Sequence, residues 1–127
     1  MNTDNSLSRL TGMDLTSVMV EMNAIRLQFV KYSPNSDGSF TDSAIVEIEH
    51  GYEVVGLKQP VLQENGLKEF RVSAFHILNF IGSQVKEITR EIDGSLCIDF
   101  DGDHVLRIID GQNGFDSFHV HLQDLQN

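Results

Sequence analysis

Cysteine is nearly absent from this sequence. The single Cys97 excludes an internal disulfide and a cysteine-based zinc site. Long apolar runs are also missing, and no stretch approaches the roughly 20 residues that a membrane-spanning helix needs. The opening MNTDNSLSRL lacks a basic region followed by an apolar core, so no secretory signal is expected and a cytoplasmic protein fits best. Positive charge is scarce: nine Lys and Arg stand against nineteen Asp and Glu, for a net charge of -10. That balance argues against nucleic acid, whose binding depends on neutralising phosphates, and against anionic membranes. It suits solubility, or a basic protein partner whose approach complementary charge would speed. No phosphate-binding loop and no dinucleotide fingerprint is present.

What remains is a chain of 127 residues, 40% hydrophobic, enough for one domain with one core. The stretch from Phe80 to Ile109 organises it. Leu96, Ile98 and Phe100 alternate with Ser95, Cys97 and Asp99, the period of a half-buried strand. Tight turns are expected at Asp93-Gly94 and at Asp101-Gly102, giving three strands in succession. An earlier stretch echoes this one. Gly12 answers Gly82, Leu15 answers Val85 and Val18 answers Ile88. Ile25, Leu27 and Phe29 answer Leu96, Ile98 and Phe100; Ile45, Val46 and Ile48 answer Val105, Leu106 and Ile108. The pattern predicts a mainly β, α+β fold in which a helix followed by a three-stranded antiparallel unit occurs twice. The copies span about residues 3–56 and 70–122 of a single 1–127 domain. One such sheet leaves its apolar face bare. Two copies packed about a pseudo-twofold, as a sandwich or as one continuous curved sheet, would cover it.

Several details follow. Thr3 or Asp4 is positioned to cap a short first helix carrying Leu7 and Leu10. Val72, Phe75, Leu78 and Ile81 have helical spacing ahead of Gly82. Lys31–Ser43 reads as a long polar loop, the main difference between the copies. Tyr52–Val55 reads as a strand, Val61–Leu67 as a small hairpin turning at Asn65-Gly66, and Phe115–Leu122 as a last strand with Phe118, Val120 and Leu122 on one face.

No catalytic set emerges. His119 and His121 share one face of a strand, a spacing usable by a metal, but a third ligand would have to come from His50, His76, His104 or an acid, and the sequence brings none of them onto that face. Solvent-facing histidines are the expected case, and neither metal nor cofactor is predicted. Asp99 to Asp103 departs from a calcium loop in glycine position and in lacking a closing glutamate. Cys97 has no neighbouring His or Lys to activate it. Ser117, His119 and Asp116 are triad residue types that a strand would split between two faces.

The segment IGSQVKEITREIDGSLCIDFDGDHVLRI resembles small bacterial domains of unknown function. Their pattern is Gly-x-x-Val, then Asp-Gly-Ser-Leu, then Phe-x-Asp-Gly, for which this chain has Phe100 directly before Asp101-Gly102, often closed by an acidic-aromatic segment such as FDSFHV. The residues concerned are Gly82, Val85, Asp93, Gly94, Ser95, Leu96, Phe100, Asp101 and Gly102, with Asp116 and Phe118 closing. Some domains of this kind are encoded beside polymorphic toxins and look like immunity proteins. The resemblance implies a non-enzymatic protein that neutralises a basic toxin domain by binding it. The alternative expectation is a small-molecule or metal-binding module, or an enzyme with an unrecognised site; self-association is compatible with either. The expected partner-binding residues are Asp99, Asp101 and Asp103 at one hairpin, Glu47 and Glu49 beside the first copy's third strand, and the aromatics Tyr32 and Phe40.

Overall fold

The computed structural model describes residues 7–32, 39–56, 59–110 and 118–124. Nine strands lie among them. In chain order they are β1 (Asp14–Val20), β2 (Ile25–Tyr32), β3 (Phe40–Ile48), β4 (Gly51–Val54), β5 (Val61–Leu62), β6 (Val85–Arg90), β7 (Leu96–Phe100), β8 (His104–Ile109) and β9 (Phe118–Asp124). They form two antiparallel sheets, ordered β1-β2-β3-β9 and β5-β4-β8-β7-β6. The protein is therefore mainly β. Two short helices, α1 (Leu67–Val72) and α2 (Phe75–Leu78), precede β6.

Alternation places the core. In β7, Leu96, Ile98 and Phe100 are buried while Cys97 and Asp99 are half-buried. Ile25, Leu27 and Phe29 of β2, Ala44, Val46 and Ile48 of β3, and Leu106 and Ile108 of β8 join them in one cluster. The inner faces of both sheets thus share one apolar interior, and Phe29 of the first sheet stacks on Phe100 of the second at 6.3 Å. Val18 and Ile88 pack at its margin. Leu10, Met13, Leu15, Tyr52, Phe70, Ile77, Phe80 and Val85 complete it.

The two sheets meet where the chain enters β1 and β6. Gly12 donates to the Val85 carbonyl at 2.8 Å and Gly82 donates to the Leu15 carbonyl at 2.8 Å. Leu15 donates to Ser83 at 3.0 Å and Val85 donates to Met13 at 2.8 Å, while Asp14 bridges Gln84 between them. Gly12 and Gly82 both have positive φ, a turn that an L side chain would strain. Both strands then carry a register shift, between Leu15 and Ser17 and between Val85 and Glu87. After β3 the chain passes to the other sheet, and β4 pairs with β8; after β8 it passes back, and β9 pairs with β3. Gly51 lies where the first crossing ends. A Cβ there would sit 2.7 Å from the Val61 carbonyl oxygen, so β5 can approach only a glycine.

The structure departs from the sequence expectations in three places. The helical stripe Val72, Phe75, Leu78 and Ile81 is exposed, and Phe70, Ala74, Ile77 and Phe80 face the core instead. Gln63–Asn65 is a 3-10 turn and Leu67 starts a helix, so no hairpin forms around Gly66. The expected loop over Lys31–Ser43 is shorter, because β2 continues to Tyr32 and β3 begins at Phe40. At the start of the chain, Ser8–Leu10 is a 3-10 turn with Leu10 buried; Thr3 and Asp4 lie outside the described residues.

Candidate functional site

The outer face of the second sheet carries Glu53, Glu87, Asp99 and Arg107. Register fixes its rows. Asp99 of β7 stands between Glu87 of β6 and Val105 of β8. Cys97 stands between Thr89 and Arg107, and Arg107 is in turn paired with Glu53 of β4. The upper row is acidic and the next is organised by one arginine.

Arg107 holds three carboxylates. Its Nη2 donates to Asp93 Oδ2 at 2.8 Å, its Nε donates to Glu91 Oε1, and its Nη1 lies 3.6 Å from Glu53 Oε1. The charge-assisted bond to Glu91, then the negative charges around it, hold the guanidinium pKa above its usual value. Its position rests on the Asp93-Gly94-Ser95 turn. Asp93 accepts from the Ser95 N–H at 2.9 Å, and that bond, with Arg107 nearby, lowers the carboxyl's pKa below the usual range. Gly94 has φ +93 and lies against the Asp110 carboxylate, leaving no room for a side chain. Ser95 is fully buried; its Oγ accepts the Asp110 N–H at 3.0 Å. The Asp-Gly-Ser motif is therefore an anchor for this turn and for Arg107.

The acidic hairpin divides into two kinds of residue. Asp101 does structural work: its Oδ1 accepts the Gln84 N–H at 3.1 Å and its own N–H donates to the Gln84 carbonyl at 2.9 Å. Asp99 and Asp103 instead line a depression of about 380 Å³ with Lys86, Glu87, Phe100 and Val105. Asp103 has a left-handed φ of +64 at the end of the turn, where Gly102 also has positive φ. Burial pushes the Cys97 thiol pKa up, Asp99 and Glu91 push it further, and Arg107 opposes them only in part. That environment keeps the thiol protonated and unreactive.

The remaining expected site residues lie elsewhere. Glu47 is on the first sheet, register partner of Arg26, whose Nε stands 3.3 Å from its Oε2 as an ion pair. Glu49 lies between β3 and β4 and is half-buried. Glu47 and the aspartate hairpin thus belong to different sheets. Tyr32, 51% exposed, and Phe40 are register partners at the end of β2 and β3, far in register from Glu47. His119 is the register partner of Glu47 and His121 of Ile45. Among the described residues no group of three His, Cys, Asp or Glu is placed to hold a metal. Asp116 and Ser117 lie outside the described residues. Sequence reasoning missed Glu87 and Arg107. Glu87 sits on the Asp99 row because of the register shift in β6, which the sequence does not announce.

Among the described residues no helix is long and apolar enough to cross a membrane. No family model matches the chain, and neither a curated protein nor a solved structure shows a match.

Proposed function

We propose that this protein is a non-catalytic binding protein of the immunity type, neutralising a basic toxin domain by direct contact. The carrying observation is the acidic row Glu87–Asp99 with Asp103 at its end, on the outer face of the second sheet. An acidic cluster on a sheet-supported surface speeds encounter with a partner of the other sign. A toxin domain that grips nucleic acid offers such a surface, and covering it would block its substrate.

The fold underlying this reading is a duplication. Its support is numerical. The offset 82 − 12 relates Gly12 to Gly82, and the same offset turns the Gly12–Val85 bond into Gly82–Leu15 and the Leu15–Ser83 bond into Val85–Met13. Asp14 and Gln84 then sit at the pseudo-twofold. Pairing agrees: Leu15 with Phe29 answers Val85 with Phe100, and Val18 with Leu27 answers Ile88 with Ile98. β4 and β9 become each copy's fourth strand, exchanged between the sheets.

The test is stopped-flow association with the basic product of the adjacent gene at low and moderate salt. Glu87→Gln/Asp99→Asn/Asp103→Asn should slow the on-rate several-fold and flatten its salt dependence, since exposed charges are screened beyond roughly 8–10 Å at physiological ionic strength. Asp101→Asn, which removes a single charge beside that row, should slow the on-rate less than the triple change does. Absence of any binding by wild type would sink the immunity reading; an unaltered triple mutant would move the contact to another face.

A further inference from the structure

The first sheet ends at β1, and among the described residues no strand lies beyond it. The Glu21 N–H donates back to Ala24 across the hairpin at 2.8 Å. Backbone groups alternate along a strand, so those of Val18 and Val20 face the open edge. From Thr16 to Val20 this edge carries no charge, and Met19 and Val20 are 55% and 44% exposed. Met22, in the turn that follows, is 77% exposed. Exposed apolar side chains flank it: α2, which packs against β1, bears Phe75 and Leu78, and α1 bears Val72 and is tied to the hairpin by Arg71 donating to the Met22 carbonyl at 2.9 Å. An uncharged edge strand bordered by apolar side chains is an open template for another strand.

We infer that β1 pairs antiparallel with β1 of a second copy, joining the two first sheets into one. The register of this uncharged edge admits a second copy as the occupant. Two chains of net charge -10 repel wherever their carboxylates face each other. Pairing Val18 of one copy with Val20 of the other sets Met19 against Met19 and Glu21 against Ser17, so no like charges stand opposite. The corresponding edge strand β6 would not tolerate this. In the same register its Glu87 meets Glu91 of the second copy, and Lys86, Glu87 and Arg90 put charges along its edge. Like charges directly opposite destabilise strand pairing. Charges on edge strands are a common guard against unwanted pairing, and β1 has Thr16, Ser17 and Val20 at those three positions.

Sedimentation equilibrium tests the inference, together with hydrogen exchange on the wild-type chain at about 1 and about 100 µM. Wild type should approach twice the 14.3 kDa chain mass at the higher concentration. Its Val18 and Val20 amides should exchange about tenfold more slowly there than in the dilute sample. Ser17→Glu/Val20→Arg, which gives β1 the charges that β6 already carries, should be monomeric with an unchanged far-ultraviolet circular dichroism spectrum. If that variant fails to fold, the wild-type exchange data decide alone. A wild type that stays monomeric, a folded variant that still dimerises, or concentration-independent exchange at Val18 and Val20 would overturn the inference. Protection of that edge only on adding the adjacent gene product would assign it to that partner instead.

Discussion

Tyr52 shows how much one side chain settles. It is fully buried, it packs edge-on against Phe70 at 5.6 Å, and its hydroxyl donates to the Phe70 carbonyl at 2.9 Å. One contact therefore ties β4 to α1 and satisfies a helix carbonyl away from water. Burial, with Glu69 adding to it, drives the phenol's pKa well above its usual value, so it stays a donor throughout the useful pH range. Tyr52→Phe keeps the ring and removes the donor, leaving that carbonyl unpaired. Urea unfolding should show a loss of about 1–2 kcal/mol, the cost of an unsatisfied buried acceptor. A loss near zero would mean that water replaces the hydroxyl. Ser95, one residue before Leu96 of β7, is the polar counterpart. It too is fully buried, and it too is kept by its bonds, to Asp110 and Arg107.

At the scale of elements, burial separates strand from helix. Ile98→Ala in β7 should cost about 2–5 kcal/mol, the range for emptying a core position. Val72→Ala on α1 should change stability by no more than about 0.5 kcal/mol, because that side chain is 56% exposed. Reversal of those two results in denaturant titrations would invert the placement of the helix face. The contrast also shows what was legible in the sequence. The strands were, because period two leaves only two choices and Leu96, Ile98 and Phe100 mark one of them. The helix face was not. Phe70, Ala74, Ile77 and Phe80 have helical spacing, and so do Val72, Phe75, Leu78 and Ile81, so the position of the sheets decides between them. The pairing of β4 with β8 is long-range, and no local signal names its partner. Of the candidate site, the hairpin aspartates were legible as a cluster. Arg107 was hidden because its partners come from β4, through Glu53, and from the β6–β7 turn, through Glu91 and Asp93, both distant from it in sequence.

At the scale of the whole molecule, the junction between the sheets carries a titrating group. Asp14 bridges Gln84 there, and burial followed by the charge of Asp101 pushes its carboxyl pKa above the usual range. A raised folded-state pKa means that the folded protein holds this proton more tightly than the unfolded chain. Its contribution is fully present below the ordinary aspartate value of about 3.9 and is lost as pH rises through the raised value. Above that point ionised Asp14 opposes folding, beside a net charge that already repels itself. Asp93 runs the other way: its lowered pKa contributes stability above the ordinary value, and that stability is lost as pH falls through the lowered one. The two groups can therefore be separated by pH. Asp14→Asn keeps the side chain's shape and removes its charge, so its urea midpoint at pH 7 should exceed that of wild type. The gap should close as the pH is lowered through the carboxylate range, where wild-type Asp14 regains its proton. A variant weaker than wild type at pH 7 would show that the ionised carboxylate supports the junction and that the repulsion from Asp101 is outweighed.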